Sequence, residues 1–290
     1  MQRGVFVGLV TLDLIYRVEH LPGTNQKLVA SDYGVFAGGP ATNAAVAFSY
    51  LNHQAMVMGG VGVHPVTHLI RADLQQYGVT MVDLTPKRTE PPPVSSVLVT
   101  EATGERAVVS INAVKTQVMA DQIPAKCLQD VAIVLIDGHQ MAVGEAIAQQ
   151  AKAQLIPVVI DGGSWKPGFD RVLPYADYVI CSANFRPPDC ESDQAVIEYL
   201  KSLSIAHIAI THGEHPIQYW SNGQTGSIAV PPVKAVDTLG AGDIFHGAFC
   251  HAILQQEFVE ALVEASRIAA RSCQFFGTRQ WMEERVRSEK

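Results

Sequence analysis

Short β-branched runs separated by longer helical patterns recur along this 290-residue chain, and that rhythm constrains the fold more than any single motif. A strand–helix–strand repeat lays its strands parallel and puts helices on both faces of the sheet. Gly4 to Leu9 (GVFVGL) reads as the first strand, Ala41 to Leu51 as a helix, Ala55 to Met58 as a strand and Val66 to Tyr77 as an amphipathic helix. Val131 to Ile136 (VAIVLI) is a continuous apolar run, as expected of a strand buried on both faces. Ala142 to Ala153 predicts the next helix and Pro157 to Ile160 the next strand. Tyr178 to Cys181, Ser192 to Leu203 and Ala206 to Thr211 continue the series, and two long helices, Ala241 to Leu254 and Val259 to Phe276, complete it.

Two stretches break the rhythm. Leu14 to Phe36 has strand-like pieces around Pro22 and Gly23, and Val94 to Ile111 (VSSVLVTEATGERAVVSI) reads as a hairpin turning at Ala102 to Gly104, entered through Pro91-Pro92-Pro93. Neither has a helix partner. Together they predict a small antiparallel flap inserted between units of the main sheet, within one domain covering residues 1–290.

Composition narrows the class of partner. At 48% hydrophobic and 17% charged residues the chain is apolar enough to build a sizeable core. A net charge of −7 argues against a nucleic-acid backbone or an anionic membrane surface as the main partner. The five cysteines are odd in number, far apart and without Cys-x-x-Cys spacing, the pattern of reduced thiols. Without a signal-peptide plan or a long apolar span, the expectation is a soluble cytoplasmic protein.

Two segments carry chemistry. In VDTLGAGDIFHGAF, Val236 to Phe249, small residues precede an apolar helix. Backbone N–H groups there can approach an anion closely, and the helix start adds free donors and the positive dipole end. Asp243 falls in the first turn, where its carboxylate can accept a proton from an attacking hydroxyl; a simple helix cap is the alternative. In FAGGPATN, Phe36 to Asn43, glycines permit close approach to a small polar ligand, and Asn43 offers both a donor and an acceptor to a hydroxyl; a tight turn is the alternative.

The pair FAGGPATN and DTLGAGD, about 200 residues apart and accompanied by two flap insertions, resembles the PfkB (ribokinase-like) carbohydrate kinase family. The likeness covers nearly the whole chain, from GLVTLDLIYRVEHLP through MGGVG and GVTMVDL to ASRIAARSCQFFG. LVTLDLI, the TEATGERAVVS hairpin, VDTLGAGD and Cys273 resemble the ketohexokinase and sulfofructose-kinase branches more than ribokinase, which implies a ketose-type substrate. The implied fold is a ribokinase-like α/β sheet, mostly parallel, whose flap acts as a lid and packs against a partner's flap in a homodimer. The implied reaction uses ATP and Mg²⁺ to phosphorylate a primary hydroxyl.

Roles follow residue by residue from the resemblance. Asp243 is the base, and the N–H groups of Gly240, Ala241 and Gly242 are the anion hole. Asp13, read as the end of the first strand, joins Gly39 and Asn43 in holding the sugar. Arg106 lies over the sugar, or is a solvated hairpin charge. Thr211 and Gly213 of ITHG sit near the nucleotide phosphates with Asn184, and Ala270 and Cys273 form the adenine wall.

The chain departs from the family at Asn184-Phe185-Arg186-Pro187, where the Glu of Asn-x-x-Glu is missing, and at Gly62-Val63-His64, where an acid pair is missing. The metal ligands therefore stay open, with Asp161 and Asp237 as substitutes. His212-Gly213-Glu214 lacks the downstream cysteines of a zinc deaminase, and there is neither a Walker loop nor a Gly-x-Gly-x-x-Gly. Two rivals remain: a nucleoside kinase using Tyr16, Tyr33 and Phe36 against the base, and a catalytically silent sugar sensor.

Overall fold

The computed structural model describes residues 1–113 and 115–283. In chain order the elements are β1 (Arg3–Val7), β2 (Thr11–Val18), β3 (Asp32–Gly38), α1 (Pro40–Tyr50), β4 (Gln54–Gly59), α2 (Thr67–Gln76) and β5 (Val79–Asp83). Then come β6 (Val94–Thr100), β7 (Arg106–Ser110), β8 (Ile133–Ile136), α3 (Met141–Ala153), β9 (Val158–Gly162), α4 (Phe169–Val172) and β10 (Tyr178–Ser182). The last are α5 (Asp193–Ser202), β11 (His207–His212), β12 (His215–Ser221), β13 (Gln224–Ile228), α6 (Ala241–Ala252) and α7 (Phe258–Ser272).

A nine-stranded sheet runs in the order β13-β12-β11-β10-β9-β8-β1-β4-β5. From β11 to β5 all neighbours are parallel, and only β12 and β13 are antiparallel. Every residue of β8 is buried, which is why IVLI carries no polar alternation. One face packs on α1, α2, α6 and α7, and the other on α3, α4 and α5. Each strand and helix that the sequence rhythm predicts for the large sheet is present, the last helix ending at Ser272 and not Phe276, while β5 and α4 are additional. The β12–β13 hairpin lies outside that rhythm, and its signal is the Asn222-Gly223 turn, where both residues have positive φ.

The flap is a separate four-stranded sheet in the order β3-β2-β6-β7, and it corrects the expectation of an antiparallel flap: β2–β3 and β6–β7 are antiparallel, but the two segments join through a parallel β2–β6 pair. Its first segment starts earlier than the sequence suggests, and this corrects one placement: Asp13 lies inside β2, facing Phe36 and Ser95, and not at the end of β1. The chain leaves the large sheet after Val7, where the Leu9 N–H turns to the Asp137 carboxylate at 2.9 Å. Thr11 then ties itself to the other flap segment through the Pro93 carbonyl, 2.8 Å away. Asp13 therefore rides on the flap, opposite the large sheet.

Two glycines set the site's helices. Gly39 caps α1 with φ +99°, and a Cβ there would stand 2.3 Å from the Leu9 carbonyl oxygen. Gly247 lets α6 press against α1, because a Cβ would meet the Ala44 carbonyl oxygen at 2.3 Å. The two helices lie side by side with their N-termini at the same end.

Candidate active site

Open parallel sheets gather ligands at the carboxyl ends of their strands. Here that edge carries Asp137 just past β8, Asp161 in β9, Ser182 in β10 and Thr211 in β11, with the N-termini of α1 and α6 above it. Asp137 is fully enclosed and takes N–H bonds from Leu9, Ala41 and His139, so it pins the β1–β2 turn to the start of α1. His139 and these N–H donors hold its carboxyl below the usual range, although burial alone would raise it.

Above this edge the two glycine motifs meet. The Asn43 amide donates to Asp243 Oδ2 at 2.8 Å across 200 residues of sequence. Burial pushes the Asp243 carboxyl up to about 7; Asp161 and Asp13 add to the rise, while Asn43 and His246 oppose it. The His246 ring sits between the Gly242 and Ile180 carbonyls, with Asp161 3.6 Å away. Asp13 is also buried, which raises its carboxyl to about 6 against the pull of Ser95 and Arg279. Its Oδ1 is buried and has no protein partner.

Sequence reasoning missed Arg279. Its side chain is 1% exposed and donates to Asn43 Oδ1 at 2.9 Å, to the Ala37 carbonyl at 2.6 Å and to Asp73 Oδ2 at 3.1 Å. The Phe36 and Tyr77 rings flank it at 5.6 and 5.4 Å. A lone arginine inside FFGTRQW was the available signal, since a charge in so apolar a stretch must find partners when buried.

The loop into α6 leaves backbone donors open, the form that an anion cradle would take. Gly240 takes φ +70° at the N-cap, and among the described residues no protein acceptor faces the N–H groups of Gly240, Gly242 or Asp243. The Ala241 N–H is spent on the Thr238 carbonyl at 3.3 Å. A Cβ on Gly242 would meet nothing within 4 Å, so that glycine faces open space. Asp237 folds the loop: its carboxylate accepts from the Leu239 and Gly277 N–H groups, both at 2.8 Å. Each oxygen thus takes one loop N–H, so Asp237 acts as a cap of this loop. Arg106 reaches this loop, bonding Thr238 Oγ1 at 2.8 Å. The structure thus brings its charge to the anion cradle, beside an open cleft of about 620 Å³ under the β6–β7 hairpin.

Of the residues assigned to the nucleotide, Thr211, Gly213 and Asn184 lie at the β10–β11 edge, and Ala270 and Cys273 lie on α7 and its C-cap. Thr211 is half-buried, Gly213 turns with φ +63° into open space, and Asn184 is exposed with its N–H on Ser182 Oγ. Ala270 is buried in α7, while Cys273 caps that helix and gives its carbonyl to the Val236 and Asp237 N–H groups. In the altered Asn-x-x-Glu region Arg186 pairs with Asp193 at 2.8 Å, and His212 holds the other carboxylate oxygen. Among the described residues no group of three His, Cys, Asp or Glu side chains converges to hold a metal ion, and no helix is long and apolar enough to cross a membrane.

A parallel sheet with a flap, a carboxylate at the start of a helix and an open glycine cradle define a phosphotransferase of small alcohols. The chain matches the pfkB family carbohydrate kinase profile over residues 1–285 and belongs to that family. It is 26% identical to the ribokinase of Bacillus subtilis, covering 93% of this chain and 92% of that protein. It is 24% identical to the ketohexokinase of Mus musculus, covering 92% and 94%. The structure of ribokinase from Giardia lamblia superposes with a TM-score of 0.82 at 20% identity, over 99% of this chain and 100% of that one. The protein is thus a sugar or nucleoside kinase with an alcohol acceptor.

Proposed function

We propose that the protein transfers the γ-phosphoryl group of ATP to a primary hydroxyl of a small carbohydrate, a ketose or related sugar. The carrying observation is the Asp243 carboxylate, bonded to Asn43, at the head of the open glycine cradle. With its carboxyl near 7, Asp243 is poised to take the hydroxyl proton at neutral pH. The free Oδ1 of Asp13 orients the sugar, and the cradle N–H groups with Arg106 receive the phosphoryl charge. Thr211, Gly213 and Asn184 line the path of the nucleotide. Asp161, buried in β9 with His246 3.6 Å away, is the carboxylate that would face a magnesium ion held on the nucleotide's phosphates, and such an ion would supply positive charge against the phosphoryl oxygens.

The structure favours a sugar over a nucleoside. Tyr16 and Tyr33 pair across β2 and β3 on the flap face opposite Asp13, so they give a base no surface in the site. Only Phe36 shares the Asp13 face, and its ring is taken up by Arg279. The exposed outer face, with Tyr16, Tyr33, Val35 and Val109, supports a homodimer closed through the flap, which sedimentation against a Tyr33→Lys variant tests.

The decisive experiment measures ATP consumption against ketoses, aldoses and nucleosides for wild type and Asp243→Asn. Turnover of a ketose that falls ~10²–10⁴-fold in the variant, with binding kept, supports the reading. Near-normal turnover in the variant removes Asp243 from the base role. Sugar-dependent thermal stabilisation without turnover of any substrate points to the silent sensor.

A further inference from the structure

We propose that Arg279 is a positioning residue which fixes the Asn43 amide so that its NH₂ end, and not its carbonyl, meets Asp243. The inference rests on the proposed role of Asp243 as base. A side-chain amide has two ends of nearly equal shape, and only the NH₂ end attracts a carboxylate. Asn43 stands between two neighbours that agree on its orientation. The Arg279 guanidinium, which can only donate, is 2.9 Å from one end, and the Asp243 carboxylate is 2.8 Å from the other. Chemistry on both sides therefore selects one flip.

Arg279 is itself held through both of its terminal nitrogens, while its buried Nε has no partner. Its Nη2 is anchored by Asp73 of α2 and by the Ala37 carbonyl of β3, and its Nη1 is shared with Thr278 Oγ1 at 2.9 Å. Asp73 closes the ring by also accepting the Ala37 N–H at 3.0 Å. The flap strand, α2 and the C-terminal segment thus converge on one amide that touches the base. A lysine has a single nitrogen and cannot reach Asn43 while keeping both Asp73 and Ala37.

The consequence is measurable on the ligand-free protein, whatever its sugar. The Asn43 bond favours the ionised form of Asp243, so releasing the amide raises the carboxyl's titration midpoint. Protein labelled with ¹³C at aspartate carboxyls is titrated by NMR, with the Asp243 signal assigned by its loss in Asp243→Asn. The midpoint should rise by about one pH unit in Asn43→Ala and in Arg279→Lys, and no further in the double variant. If Arg279→Lys does not fold, Arg279→Met with Asp73→Leu removes both charges of the buried pair and carries the same test. An unmoved midpoint in the Arg279 variants, or shifts that add in the double variant, overturns the proposal. Failure of the base role shows elsewhere, as retained turnover in Asp243→Asn.

Discussion

Helix α1, with the loop just past its C-terminus, meets α6 through a polar contact at each end, and the two contacts have opposite electrostatics. At the N-terminal end Asn43 donates to Asp243 at 2.8 Å; at the C-terminal end His53 Nε2 lies 2.7 Å from His251 Nδ1. Removal from water acts on both, favouring the neutral form each time. It lifts Asp243 to about 7 and drops His53 to about 4, with the neighbouring His251 adding to the drop. Asp243 thus binds protons more readily folded than unfolded, and its contribution to stability is lost as pH rises from about 4 to about 7. For His53 the sign reverses: its contribution is intact above about 6.5 and is lost as pH falls toward about 4. One end of the helix pair costs stability at working pH and the other does not, which is how a functional contact differs from a structural one.

The sharpest way to break this comparison is Asp243→Asn. Besides its loss of turnover, the variant should melt higher than wild type by about 2–4 °C at pH 8, because a desolvated charge is gone while Asn43 keeps an acceptor. A lower melting temperature would mean that Asp243 is a stabilising cap. Next in size is a pair of glycines on α6. Gly242→Ala places its methyl in open space and should leave melting unchanged or slightly higher, yet cost about 10²-fold in turnover by obstructing the cradle. Gly247→Ala drives its methyl into the Ala44 carbonyl and should lower the melting temperature by several degrees. Equal effects on activity and melting from the two variants would erase the distinction between cradle and packing.

These contrasts also explain what was legible in the sequence. Asp243, Asn43 and the cradle glycines stand in short strings whose local geometry, small residues before a helix start, is set by near neighbours. The parallel sheet was equally legible, because VAIVLI and its counterparts carry their burial in their own composition. Arg279 was not, since its partners Asn43 and Asp73 are 236 and 206 residues away and nothing local announces them. Asp137 and His246 share that character in part, since Asp137 takes the N–H groups of Leu9 and Ala41 and His246 meets the Ile180 carbonyl, all far away in sequence. Asp13 was named but misplaced: it was read as the end of the Gly4 to Leu9 strand, and the break after Val7 depends on Asp137, 128 residues beyond the Leu9 it binds. Arg106 was named, but its reach to Thr238 spans 132 residues, so sequence alone left its contact open.

The smallest predicted effect lies at the structural end of the helix pair. His53 Nδ1 accepts the Gln2 N–H at 3.2 Å, so its proton sits on Nε2 and points to His251. The ring also stacks on Phe48, 4.4 Å between centroids. Protonating His53 would turn an accepting nitrogen against an N–H and set a charge beside a second imidazole. In His53→Gln an amide oxygen can take the Gln2 N–H and an amide N–H can serve His251, but nothing at that position titrates. Wild type should therefore lose melting temperature between pH 6.5 and 4.5 more steeply than His53→Gln, and turnover of the two at pH 7.5 should agree within about twofold, since no charge near Asp243 has changed. Parallel melting curves would place the acid sensitivity elsewhere, and a large loss of turnover would show that the far end of α1 and α6 helps to set the distance between Asn43 and Asp243.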